Sequence, residues 1–261
     1  MLNENVKTYA VLKAIQYMQE HLDQDVTSEE LALHVGYSPY HFSRVFKEAT
    51  GVSPRHYLSA LRIEAGKSIL IQSSSTSILK ALLSTGFRSL GTFSTTFKKY
   101  VGLSPKQFQG NTKKLHQFMN EFEREEQLAN IQLTPPILTC HLDFPSTFKG
   151  LIFVGLFPRP IPDQKPVVGS AVKHHQRSCV FTNIPVGTYF ILAAALPFSL
   201  HPKDYFLLDH SLRGKYKDSV EITENSDVEI EITLRNRIPT DPPILVNLPQ
   251  LLLEKTKKRA N

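Results

Sequence analysis

Ser38, Tyr40, His41 and Arg44, with Lys47 one turn further on, share one side of a short segment whose other side carries Phe42, Val45, Phe46 and Ala49. The apolar set follows i, i+3, i+4, i+7 spacing, which predicts one buried face of an α-helix. The exposed face then offers hydroxyl, imidazole and guanidinium groups of the kind that read base edges, with Lys47 placed for phosphate. A second segment presents Ser89, Leu90, Thr92 and Thr95 in the matching places, with Arg88 and Lys98 toward phosphate, against an inward stripe of Phe93, Thr96, Phe97 and Tyr100. A polar helix face by itself is only a solvated face. What distinguishes these two is that they are copies of each other.

Gly36, Tyr37, Ser38, Phe42, Ser43, Phe46, Lys47, Gly51, Ser53, Pro54 and Tyr57 recur as Gly86, Phe87, Ser89, Phe93, Ser94, Phe97, Lys98, Gly102, Ser104, Pro105 and Phe108. The second copy carries Arg88 as one extra residue in its turn. Two copies are too few for a stacking array, so the pattern is a duplicated module within one domain. Each copy reads as helix, tight turn, helix. In the first, Thr27-Ser28-Glu29-Glu30 has the form of a capping box and Leu31, Ala32 and Val35 follow at helical spacing. Gly36 supplies the left-handed residue that closes a helix, and Ser38-Pro39 supplies an N-cap and a first-turn proline for the next.

Charge is concentrated on these copies. Residues 36–114 hold twelve Lys and Arg against two acids, a net of +10, whereas residues 115–261 hold sixteen of each sign. That is the electrostatic footprint of a polyanion-binding domain. Helix-turn-helix geometry places the start of the second helix against the bases while the first crosses the backbone.

On these residues, positions 8–110 resemble the DNA-binding domain of AraC/XylS-type transcriptional regulators, a bacterial family that includes activators. The resemblance implies two helix-turn-helix units, 27–48 and 77–99, joined by a linker helix over 54–71 with Leu58, Leu61, Arg62, Ala65 and Leu70 in the family pattern. The run Gly102-Leu103-Ser104-Pro105-Lys106-Gln107-Phe108 is similar to the family's closing signature. Leu82 departs from it, standing where the first unit has the small Ala32, and an extra side chain at a tight helix crossing is not absorbed without cost. Thr95 stands where the family often has a basic residue and Gln109 where it often has arginine.

The expected organisation is therefore multidomain, α then β: an all-α double helix-turn-helix domain over 1–112, a connecting helix or linker over 113–133, an all-β sandwich over 134–246, and a C-terminal tail over 247–261. The connecting helix rests on Leu115, Phe118, Met119 and Phe122 at helical spacing, and Pro135-Pro136 closes it. From Ile137 the period changes to two. Residues 151–157, 178–182, 188–194, 204–208, 220–223 and 228–234 read as strands, punctuated by proline and glycine about every ten residues. The run from Phe181 to Tyr189 resembles the turn-and-strand signature of transthyretin-like and carboxypeptidase-regulatory-like sandwiches. Leu248, Leu251, Leu252 and Leu253 before a basic end predict a short docking helix in the tail.

Enzymatic chemistry needs a convergent acid, base or ligand set, and the sequence shows none. His174, His175 and Cys179, with Cys140 and His141 nearby, match no closed zinc spacing, so neither a metal nor a cofactor is expected. Arg159, Lys173 and Arg177 are bases that an acidic effector could use, although the region is net neutral. Two cysteines make no disulfide scaffold, no run of eighteen apolar residues occurs, and MLNENVKTYA lacks the apolar core of a leader. A soluble cytoplasmic protein with no membrane partner and reduced thiols is expected. Its partner is double-stranded DNA. Control through the β-domain has two open readings: a small-molecule effector, as the family resemblance implies, or homodimerisation and contact with RNA polymerase.

Overall fold

The computed structural model describes residues 2–72, 77–122 and 134–260. The chain divides into two compact units that are not contiguous in sequence. The first comprises Met1–Asn111 together with Ile238–Val246, the second Thr112–Arg237 together with Asn247–Asn261.

Among the described residues, seven helices precede the first strand: α1 (Leu2–Glu20), α2 (Ser28–His34), α3 (Pro39–Thr50), α4 (Pro54–Gln72), α5 (Ile78–Leu83), α6 (Leu90–Val101) and α7 (Pro105–Glu121). Thr27 caps α2 as its sequence requires, its hydroxyl accepting from the Glu30 amide at 3.1 Å. In α3 the buried stripe is Phe42, Val45, Phe46 and Thr50. Ala49, expected inside, is exposed. Thr50 takes the inner place because its hydroxyl is satisfied there, donating to Phe46 O at 2.8 Å. The matching stripe of α6 is Phe93, Phe97, Tyr100 and Val101.

The linker helix α4 is buried on most of its circumference. Tyr57, Leu58, Ala60, Leu61, Ile63, Gly66, Lys67 and Leu70 are all inside, and α4 packs against α1, α3, α5 and α6. A helix packed on this many sides is a core helix even though it carries Arg62, Glu64 and Lys67, whose polar ends therefore need partners. The stripe of α7 runs unbroken through Phe108, Thr112, Leu115 and Met119, all buried. Residues 113–121 are thus the second half of α7 and not a separate connecting helix, and residues 123–133 of the expected linker lie outside the described residues.

The second unit holds β1 (Ile137–Asp143), β2 (Gly150–Phe157), β3 (Val168–Lys173), β4 (Ser178–Phe181), β5 (Gly187–Pro197), α8 (Pro202–Leu207), β6 (Leu212–Lys215), β7 (Val220–Ile222), β8 (Asp227–Thr233) and α9 (Leu248–Ala260). One sheet has the order β4-β1-β8 and the other β3-β2-β5-β6, with β7 also paired to β5. The inward residues of both share one core, including Leu138, Cys140, Leu142 and Ile232 from the first sheet and Ile152, Val154 and Ile191 from the second. Every ladder is antiparallel except β1 with β8.

Residues 204–208, read as a strand, lie in and just after helix α8. Pro202 occupies its first turn, and Tyr205 and Phe206 are buried. A run of four apolar residues, 205–208, carries too little periodicity to separate strand from helix. The tail forms α9: the Asn247 side chain accepts from the Gln250 amide at 3.1 Å, Lys165 pairs with Glu254 at 2.6 Å, and Lys255 donates to Gly169 O at 2.5 Å.

Candidate nucleic-acid interface

The two helix pairs turn on glycines with left-handed backbone. Gly36 has φ +75° and Gly86 φ +68°. Tyr37 N donates to Ala32 O at 2.9 Å, which closes α2 and aims the chain into α3. The turns differ in their surroundings. Around Gly36 a Cβ would meet nothing within 4 Å, whereas at Gly86 it would lie 2.3 Å from Leu22 O and 3.0 Å from the Arg62 guanidinium.

The reason is the loop after α1. Arg62 of α4 donates to Leu22 O at 3.0 Å and to Gln24 O at 2.5 Å, holding that loop against the second turn. Burial pulls the Arg62 guanidinium below the ordinary arginine value, with the nearby Asp25 acting in the opposite sense. Arg88, the residue inserted in the second copy, pairs with Asp25 of the same loop at 2.5 Å. Both side chains are exposed, so phosphate and Asp25 would compete for that guanidinium.

At the start of α3, Ser38, Tyr40, Arg44 and Lys47 are exposed and His41 is half-buried. Tyr40 is 84% exposed, an unusual position for an aromatic ring and one suited to a base or a thymine methyl. His41 stacks edge-on with Tyr37 at 4.8 Å, and the Arg44 guanidinium stands 3.5 Å from its Nδ1. Ser38 has extended backbone at the N-cap position, yet its side chain makes no capping hydrogen bond. Pro39 has already removed one donor from the first turn, leaving the serine hydroxyl with less to satisfy.

Arg88, Ser89, Leu90, Thr92, Thr95 and Lys98 are likewise exposed at the start and along the outer face of α6. Here the cap is made: Ser89 Oγ accepts from Thr92 N at 3.1 Å and lies 2.9 Å from Thr92 Oγ1. Ser89 and Thr92 are thereby partly committed to their own helix. Leu82, at the departure from the sequence pattern, is buried beside the fully buried Ala81, and the Thr85 hydroxyl ties the end of α5 by donating to Ala81 O at 2.7 Å.

Not every basic residue of the repeats belongs to the surface. Lys67 is 1% exposed and Arg62 is bound to backbone carbonyls, so both are structural. Sequence reading also missed α1, although Val11, Ala14, Ile15 and Met18 recur at helical spacing and are all buried.

The residues weighed as sites in the second unit do not converge. Cys179 sits opposite Cys140 in the β1–β4 ladder, both buried, while His174 and His175 follow β3, and Gly150 N donates to His174 Nδ1 at 3.4 Å. The two thiols face each other, and that contact, with burial, pushes Cys140 well above the usual thiol range. Arg177 lies over the Phe144 ring at 3.8 Å and donates to Phe144 O, and Arg159 pairs with the buried Asp163 at 3.1 Å. Among the described residues no group of three His, Cys, Asp or Glu could hold a metal ion, and no helix is long and apolar enough to cross a membrane.

Residues 31–111 match the family described as the helix-turn-helix domain. The matched segment occupies less than half of the chain, and the relatives share a similarly limited part. A protein of Staphylococcus aureus (strain MSSA476) described as an uncharacterized HTH-type transcriptional regulator is 36% identical over 101 residues, covering 39% of this chain and 13% of that protein. The melibiose operon regulatory protein of Escherichia coli (strain K12) is 32% identical over 100 residues, covering 38% of this chain and 33% of that protein. The chain thus spans a third or less of the length of these relatives. A solved transcriptional regulator from Chromobacterium violaceum, described as having an AraC-type DNA-binding domain, is 26% identical, with a TM-score of 0.38 over 40% of this chain and 92% of that one.

Proposed function

We propose that the protein is a sequence-specific, double-stranded DNA-binding transcription regulator and not an enzyme, acting in the cytoplasm. The observation that carries this is the pair of matched second helices, α3 and α6, each with a buried aromatic stripe and an exposed polar and basic face. In each helix-turn-helix unit the start of the second helix enters the major groove, so the two read successive segments on one face of the duplex, about 10 base pairs apart.

Ser38, Tyr40, His41 and Arg44 read bases for the first unit, with Lys47 on phosphate. Ser89, Leu90, Thr92 and Thr95 hold the matching places in the second, with Arg88 and Lys98 on phosphate. Arg44 is the long bidentate donor among the base-reading residues, Arg88 being placed toward phosphate, so the first unit carries more of the specificity. The second, with short hydroxyls partly bonded within α6, contributes more affinity than selectivity.

The C-terminal unit is the controlling part. A small-molecule effector there acts by binding the DNA-competent and incompetent arrangements with different affinity. This part of the reading is supported by the AraC/XylS-type resemblance alone.

The reading is tested by selecting sequences from a random duplex pool with the full chain, then titrating salt. Enrichment of one sequence and a linear fall of log affinity with log salt are expected. Equal binding of selected and scrambled duplexes would contradict sequence specificity.

A further inference from the structure

The helical unit contains nine residues that the chain supplies from far beyond it. After β8 the chain makes a two-way bridge, Arg213 N to Arg235 O at 2.7 Å and Arg235 N to Arg213 O at 2.9 Å, and Arg237 pairs with Asp209 at 3.3 Å. It then leaves the second unit, contributes Ile238–Val246 to the first, and returns at Asn247, which caps α9. Ile238 N bonds to the Asp241 carboxylate at 3.0 Å, making a tight turn, and the segment continues without regular secondary structure.

Its partner is α4. The Tyr57 hydroxyl is 3.0 Å from Asp241 O and 3.3 Å from Pro239 O, and Lys67 Nζ donates to Ile244 O at 3.3 Å. Tyr57 and Lys67 are ten residues apart, roughly 15 Å along a helix axis. The segment therefore follows much of the length of α4. Ile244, Leu245 and Val246 are buried, as are Tyr57 and Lys67. An ammonium group is expensive to bury, and one held against a backbone carbonyl marks a cover that belongs to the folded state. The helix so covered is the one that packs against both α3 and α6.

We propose that residues 238–246 are a strap that fixes the linker helix α4 and thereby sets the placement of the two recognition helices relative to each other. Tyr57 and Lys67 are positioning residues in this scheme. At both ends the strap continues in sequence into the second unit, at Arg237 and at Asn247. Only the consequence for DNA rests on the DNA-binding reading; the geometric claim does not.

The test uses the full chain with spin labels at Glu48→Cys and Lys99→Cys, both exposed, the native thiols being buried. Double electron–electron resonance then gives the α3-to-α6 distance distribution without DNA. Tyr57→Phe with Lys67→Met keeps side-chain bulk and removes the hydrogen bonds to the Pro239, Asp241 and Ile244 carbonyls. The expected result is a broader distribution with its maximum displaced by several ångströms. On a selected duplex, affinity for the paired half-sites falls about tenfold while a single half-site changes by no more than about twofold, because only the paired site depends on a fixed effective concentration.

An unchanged distribution in a folded variant would overturn the strap, as would an equal loss on both duplexes, which is what mere destabilisation produces. If the double variant has lost its helices, the single Tyr57→Phe carries the same measurement. If the wild-type chain binds no duplex, the DNA reading fails and the distance measurement still decides the strap.

Discussion

Alanine at Gly36 and at Gly86 is the same chemical change at equivalent turns, and the structure assigns the two very different costs. Both glycines have left-handed backbone, and a Cβ there costs about 1 to 2 kcal/mol. At Gly36 the added carbon meets nothing within 4 Å, so that strain is the whole effect. At Gly86 the carbon would sit 2.3 Å from Leu22 O, a backbone atom, and 3.0 Å from the Arg62 guanidinium that bonds to the same oxygen. The loop after α1 has to move, and overpacking of this kind typically adds about 1 to 3 kcal/mol, with roughly 1 more if the Arg62 bond is broken. The total of about 3 to 6 kcal/mol approaches the whole stability of a marginal domain. Denaturant titration of the full chain, followed by helical circular dichroism, should show the helical transition slightly early in Gly36→Ala and far earlier in Gly86→Ala. Equal midpoints in the two variants would refute the argument that the loop, Arg62 and the second turn are one packed assembly.

Arg44→Ala should cost about 1 to 3 kcal/mol on the selected duplex and relax the preferred sequence, whereas Lys98→Ala should weaken all sequences alike and reduce the salt slope by about one; competition binding at several salt concentrations separates them. Thr27→Ala removes the cap on α2 and should lower stability by about 1 kcal/mol, measured by the same denaturant titration. A protein of residues 1–112 lacks the strap and leaves Tyr57 and Lys67 uncovered, so its helical transition should come earlier than that of the full chain in thermal melts. Burial, with Asp204 adding to it and the Ser199 amide opposing it, raises the Tyr205 phenol above its ordinary value. Its contribution is therefore present below about pH 10 and is lost as pH rises through the folded value; an alkaline melt series on Tyr205→Phe should show a shallower loss than wild type.

The helix pairs were legible because their signals are local. A capping threonine, two turn glycines and an aromatic stripe each act within a few residues, and the duplication repeats them. What sequence could not show is where long side chains end. Lys67 reads as one more basic residue of a DNA-binding domain, but its ammonium is buried against a carbonyl supplied 177 residues later. Arg62 reads as part of the linker-helix pattern, but its guanidinium ties down the loop that follows α1, and the exposed Arg88 pairs with Asp25 of the same loop. The unit to which residues 238–246 belong is hidden for the same reason: the strap has neither strand alternation nor helical period, and only tertiary contact groups it with the helical unit. The helix at 202–207 reads as a strand because the four apolar residues 205–208 fit either period, and the strands expected from the sequence omit β1, β3 and β6, although the shorter β7 is among them.

The central claim is that two recognition helices of one chain enter successive major-groove segments. Chemical footprinting of the full chain on its selected duplex tests this most directly. The account predicts two protected major-groove segments on one face of the helix, about 10 base pairs apart, with Arg44→Ala clearing only one of them. A single protected segment, or protection on opposite faces of the duplex, would contradict it.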